Sequence, residues 1–296
     1  MTNALPQQHP RWKAAHLVVG AFLMAASLVA FRGGWSDIWV QATKRADNGY
    51  ILLAPLVAMW LAHLRWIRAS SVPPTPSFLG AVVGVVALAL AWWGIETDTR
   101  AAVHLAAVLA IVAPILAMTG WRSLRMFAPA FGALLFMVPV PGEIRRWLAG
   151  PLQDLATTMT QEVLELLGTD AVREGNSITL AGQPIFVDEA CDGMRMVLAL
   201  LLTFYAFVFA VPLRLRARLV VLAICPIIAL VCNVARLVPT AFAFAYGSSD
   251  IAARVHDIAG WAMLPLALAM LVGFLAFLRW LDLAWLPVPR MRFAQA

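Results

Sequence analysis

The sequence predicts an all-α integral membrane protein: a bundle of about eight transmembrane helices, with a small extracytoplasmic helix-plus-hairpin insertion before the sixth span. Three observations predict it. Apolar residues make up 62% of the 296 and charged residues only 13%, at a mean hydropathy of +0.82, whereas soluble domains run nearer 45–50% apolar and about 25% charged. Dissolved in water, such a chain could not bury its hydrocarbon. The apolar residues also fall in continuous runs, close to the ~20 residues that cross a core of roughly 30 Å and unlike the alternating ten-residue segments of a barrel. Finally, the basic residues sort sharply between the connecting loops.

The first run, 14–31, follows a basic segment and passes Leu28-Val29-Ala30, which is faintly like a signal cleavage site. It is long for the apolar region of a signal peptide and reads as a retained span. Runs at 50–67, 77–94 and 101–119 follow. The fifth, 126–140, is short and is ended by Pro139 and Pro141. Runs 194–212, 219–240 and 258–279 complete the eight. With the N-terminus in the cytoplasm, the cytoplasmic segments hold twelve of the 22 basic residues, among them Arg65, Arg122, Arg214, Arg216 and Arg279, against one acid, Asp282. The positive-inside rule therefore puts both termini in the cytoplasm. Trp12, Trp66, Trp121, Trp147, Trp261 and Trp280 near span ends fit an interfacial aromatic belt. On this reading the net charge of +6 belongs to cytoplasmic loops; the partner it implies is the lipid bilayer, and no nucleic acid is expected.

Only one loop, 141–193, is long enough for structure of its own, and it lies outside the cytoplasm. Leu152, Leu155, Met159, Val163, Leu166 and Leu167 recur at helical spacing, so 151–168 reads as an amphipathic helix on the membrane surface, stopped by Gly168. Ile178-Thr179-Leu180 and Ile185-Phe186-Val187 flank Ala-Gly-Gln-Pro, which predicts a small hairpin. It runs directly into Glu189-Ala190-Cys191-Asp192-Gly193. No repeat or second domain is visible, so residues 1–296 form a single multispanning domain.

Polar groups at membrane depth are costly and tend to be functional. Cys191 stands at the outer start of the sixth span, flanked by Asp188, Glu189, Asp192 and Arg195, with Gly193 allowing a tight turn. A helix N-terminus there lowers a thiol's pKa and favours the nucleophilic thiolate, although a cysteine at a span end is also compatible with an inert role. Arg236 is 18 residues beyond Arg218, or about 27 Å along a helix, which puts it near the outer edge of the hydrocarbon on Cys191's side. Asn233 shares its face. Arg236 could snorkel to the interface or stabilise a thiolate or oxyanion. His256, next to Asp257 at the outer start of the last span, can serve as general acid or base or be a plain loop histidine. A Cys, an Arg and a His from three spans at one interface are the set that acyl transfer through a thioester needs. Cys225 and Cys232 share a small-residue stripe with Ala229 and read as helix packing. The three cysteines show no CxxC spacing, and neither a metal nor another cofactor is expected.

At these residues the sequence resembles the exosortase/archaeosortase family of membrane cysteine protein-sorting transpeptidases. The signature is a Cys-x-Gly at the start of a span, an Asn-x-x-Arg in the next, and a His at the start of the last. Here it reads Cys191-Asp192-Gly193, then Asn233-Val234-Ala235-Arg236, then His256. The segment PLQDLATTMTQEVLELLG with the β piece after it, and Asp47-Asn48-Gly49-Tyr50 with Pro55, also look like the family. Asp192 stands where a small residue is common, and Asn48 where histidine is frequent. The resemblance implies an enzyme of the bacterial inner membrane with its active site on the periplasmic side. It implies Cys191 as nucleophile, Arg236 as stabilising cation and His256 as acid–base, with Asn233, Glu189, Asp192, Gly193 and Arg195 in support. The substrates implied are exported proteins with a C-terminal sorting tail: a motif (Pro-Glu-Pro in the best-known class), one transmembrane helix and a basic cluster. Such systems often accompany exopolysaccharide machinery. Two other readings stand beside it: a transporter using Arg236 as an anion site, and a non-catalytic assembly factor for exopolysaccharide export.

Overall fold

The computed structural model describes residues 12–68, 74–186 and 194–281. Its contacts divide the chain into two units, 1–141 and 142–296.

In the first unit α1 (Ala14–Ala30) breaks at Phe31, and α2 (Arg32–Lys44) leaves at 70°. Hydropathy does not reveal α2, which is short and polar, but it buries Gly34, Ile38 and Ala42 at four-residue spacing. A 3-10 segment, Ala46–Leu52, leads into α3 (Ala54–Arg68). Next come α4 (Leu79–Glu96) and α5 (Arg100–Leu134), followed by a 3-10 turn, Leu135–Met137. Small residues let α4 and α5 approach backbone to backbone: a methyl group added at Gly80 would lie 2.3 Å from Ala117 N. Within α5, Gly120 takes φ 63° and ψ −165° and breaks the helix. The carbonyls this frees are satisfied by the preceding loop: Thr75 N–H donates to Met118 O and Ser77 N–H to Ala117 O, both at 2.9 Å. The expected span 101–119 therefore lies inside α5 before this break, and 126–140 begins in the part of α5 after it and runs past Leu134 through the 3-10 turn.

The second unit begins with α6 (Gly142–Leu166). It starts nine residues before the expected 151 because Pro151 is accommodated within the helix instead of opening it. It ends where Gly168 (φ 84°) provides the left-handed residue: Thr169 N–H reaches Leu164 O at 3.2 Å and Gly168 N–H reaches Glu165 O at 2.9 Å. Three antiparallel strands follow in the order β1 (Val172–Glu174), β2 (Ser177–Leu180) and β3 (Gln183–Phe186). The expected hairpin corresponds to β2–β3, and β1 is an added strand. Arg173 fastens β1 to α6 through Asp154 and Thr158. Ile178 and Leu180 of the sheet, with Ala156 and Leu164 of α6, bury against Leu237 and Ala241 of α8 (Leu215–Tyr246). That helix also packs against α7 (Met194–Ala210) and α9 (Ser249–Trp280), around Phe204, Val221, Cys225, Cys232, Ala267 and Leu271.

Among the described residues, five helices are long and apolar enough to cross a membrane, or six if α1 and α2 form one bent span. The chain is thus a helical multi-pass membrane protein. The difference from the expected eight has two causes: Arg100–Met137 counts as one helix despite Gly120, and α7, at 17 residues, is short.

Candidate functional site

Two of the three expected site residues meet. Arg236 leaves α8 ten residues before its end at Tyr246, and His256 leaves α9 seven residues after its start at Ser249. At 1.5 Å per residue these are depths of about 15 and 10 Å, a gap that an arginine side chain spans. The turn between the helices is tight: a methyl at Gly247 would lie 2.6 Å from Ala243 O, and Ser248 Oγ caps α9 by accepting from Ile251 N–H. Arg236 Nη2 lies 2.5 Å from His256 Nε2. The guanidinium can only donate, so Nε2 accepts and the ring carries its proton on Nδ1.

Gly260, one turn beyond His256, leaves α9 bare where the guanidinium crosses it, for a methyl there would sit 3.8 Å from Arg236 Nε. Arg236 is 8% exposed although it lies among apolar helices, and Thr240 Oγ1 donates to its backbone carbonyl at 2.7 Å. The pair forms the polar end of a cavity of about 450 Å³. Met196, Ala199 and Leu200 of α7 make one wall, and Trp261, Met263 and Leu264 of α9 the other, with Asp257 at the exposed rim. A fixed cation beside a neutral imidazole, in a largely apolar pocket, can polarise a carbonyl and move one proton.

Asn233 is buried one turn before Arg236. Arg195 belongs to the first turn of α7. Cys191, Glu189, Asp192 and Gly193 lie outside the described residues. The other two cysteines are fully buried in the α7–α8–α9 core, and Cys232 Sγ lies 4.0 Å from Met270 Sδ. This is what helix packing requires. His104 is in the first unit, where its Nε2 meets Asp37 Oδ2 of α2 at 2.6 Å. Sequence reasoning missed the cavity walls. The i, i+3, i+4 spacing of Met196, Ala199 and Leu200 marks one helix face, but it cannot distinguish a cavity wall from a lipid-facing stripe. Among the described residues, no three His, Cys, Asp or Glu side chains cluster as a metal site would.

The fold and the part-buried Arg236–His256 pair define a multi-pass helical membrane protein with a candidate polar site near the joined ends of α8 and α9. The chain belongs to the transmembrane exosortase family, whose model matches residues 39–273 and so spans Cys191, Arg236 and His256. No curated protein and no solved structure matches it.

Proposed function

We propose that this chain is a cysteine peptidase or transpeptidase of the bacterial inner membrane that removes C-terminal sorting tails from exported proteins through a Cys191 thioester. The observation that supports it most is the Arg236–His256 contact at the polar end of a cavity walled by α7, the helix that begins three residues after Cys191. At rest Arg236 occupies His256 Nε2. In acylation the guanidinium leaves that nitrogen, which takes the proton of the Cys191 thiol. The thiolate attacks the scissile carbonyl, the C–S bond forms, and Arg236 pairs with the oxyanion. The imidazolium returns its proton to the leaving nitrogen as the C–N bond breaks, which leaves a thioester and a free amine on the tail. Water or an acceptor amine then attacks the thioester, giving its proton to His256; as the C–S bond breaks, the imidazolium returns that proton to the Cys191 sulfur, which releases a carboxylic acid or a new amide and regenerates the thiol.

The substrates on this reading carry a short motif, an apolar helix and a basic cluster, and the exopolysaccharide machinery is the accompanying system. No cofactor takes part. The finer topology belongs to the same proposal. The bent α1–α2 pair, the two halves of α5 and α7 each count as spans, which gives eight in all, with both termini cytoplasmic and the site periplasmic.

The test is the ratio of cleaved to full-length tailed substrate in membranes at matched expression. Cys191→Ala abolishes processing while the chain still inserts, and Cys191→Ser is nearly as damaging. Cys225→Ala and Cys232→Ala leave most activity, because those thiols are buried in packing. Full processing by Cys191→Ala overturns the enzyme reading and leaves the assembly factor ahead.

A further inference from the structure

Among the described residues, the small sheet of the second unit ends at β3, whose outer edge no further strand pairs. β1 and β2 are joined by the two-residue turn Gly175-Asn176, with φ 62° at Gly175, and β2 and β3 by Ala181-Gly182, with φ 52° and 76°. Positive φ at both positions makes the second a tight hairpin turn, so the flanking pair Leu180–Gln183 exchanges backbone hydrogen bonds. In an antiparallel ladder bonded and non-bonded pairs alternate. Thr179–Pro184 is therefore non-bonded, Ile178–Ile185 bonded and Ser177–Phe186 non-bonded. It follows that Pro184 and Phe186 turn their backbone groups away from β2.

The position of Pro184 agrees with this assignment. A proline has no N–H and fits a sheet only where that group would face outward. The outward edge of β3 then offers one donor, Phe186 N–H, and two acceptors, Pro184 O and Phe186 O. Among the described residues no hydrogen bond beyond the sheet reaches either residue. Gln183 and Pro184 are exposed at the start of β3, while Ile178, Leu180 and Ile185, on one face of the sheet, anchor it to α8, the helix that carries Arg236. The sheet is packed on α8, no described residue pairs with this edge, and Pro184 protects it against indiscriminate pairing with other strands.

We infer that β3 binds the substrate: the extended peptide around the scissile bond adds to this edge as a fourth strand, held by backbone hydrogen bonds to Phe186 and Pro184. This rests on the peptidase reading. A peptide substrate supplies the complementary donors and acceptors whatever its side chains, and β3 ends five residues before Cys191. The edge would thus supply sequence-tolerant affinity, while the α7–α9 cavity supplies side-chain selection.

The experiment uses the full-length chain in membranes and a periplasmic reporter fused to a Pro-Glu-Pro motif, an apolar helix and a basic cluster. Capture of the uncut reporter is measured in a Cys191→Ala background. Phe186→Pro removes the outward donor and breaks no bond to β2, and it lowers capture about tenfold or more. Phe186→Ala keeps the N–H and retains capture. Pro184→p-benzoylphenylalanine, in the same background, crosslinks the reporter tail on illumination; this arm decides the matter if Phe186→Pro fails to accumulate. Undiminished capture by Phe186→Pro, or no crosslink from a chain that captures the reporter, overturns the edge. A reporter that the intact edge does not capture overturns it as well. Continued cleavage by Cys191→Ala overturns the cysteine mechanism alone, since the capture and crosslinking arms do not depend on it.

Discussion

Arg236 does two things that no other cation could do in its place. It fills a buried position with a charge that is never lost, and its planar fork reaches His256 Nε2 at 2.5 Å while crossing the bare surface at Gly260. Lysine keeps the charge but gives a point donor on a flexible stem. Arg236→Lys is therefore expected to lower processing by a factor on the order of 10² or more, as removal of an oxyanion donor does. The readout is the cleaved fraction of a tailed substrate at matched expression. Gly260→Leu tests the same contact from the other helix. Its side chain would occupy the guanidinium's path, so it should cost activity while leaving the amount of inserted chain close to normal. Equal activity in Gly260→Leu would show that Arg236 does not need this crossing. The sequence made Arg236 legible through its distance from Arg218 and His256 through its place at a span start. Neither position shows which faces of α8 and α9 meet. That depends on the tight turn at Gly247-Ser248 and on the packing of Cys232, Ala267 and Leu271, which is three-dimensional information.

The helices of the first unit are held by close approach as well as by side-chain bulk. Gly80 and Gly84 lie one turn apart on α4, but only Gly80 touches backbone: a methyl there would lie 2.3 Å from Ala117 N, whereas at Gly84 it would lie 3.9 Å from Ala113 Cβ. Gly80→Ala should force α4 and α5 apart and destabilise by about 2–3 kcal/mol. Gly84→Ala should be neutral or slightly stabilising, because alanine is the better helix former. Thermal unfolding of the two variants in the same detergent checks the contrast, and equal shifts would contradict it. Hydropathy revealed most helices because span length is set by membrane thickness. It missed α2 because thirteen residues with an arginine, an aspartate and two glycines carry too little apolar signal; the Gly34–Ile38–Ala42 face becomes meaningful only once α5 covers it. It missed β1 because Val172-Arg173-Glu174 is polar, and what holds that strand is Arg173's bonds to Asp154 and Thr158 on a different element.

Across the whole molecule the strongest constraint is the distribution of charge. On the eight-span reading, twelve basic residues against one acid fall on one side of the membrane, and the remaining ten basic residues, Arg236 included, and fifteen acids on the other. Short loops rich in arginine resist translocation, so this asymmetry, more than the span count, determines orientation. The site depends on it directly: Arg236, His256 and the strands β1–β3 are attached to the ends of α8 and α9 opposite the Arg214–Arg218 cluster, so they face the periplasm only if that cluster faces the cytoplasm. Two exposed positions read out the two sides, Gly175 in the β1–β2 turn and Arg216 in the first turn of α8. A reporter enzyme active only in the periplasm should be active when fused after Gly175 and silent when fused after Arg216. About 40 Å of bilayer and interface separates the two compartments, so intermediate activity at both positions is not expected from a uniquely inserted chain. The opposite pattern would put Arg236 and His256 on the cytoplasmic side, out of reach of an exported protein, and the sorting mechanism would fall with the topology.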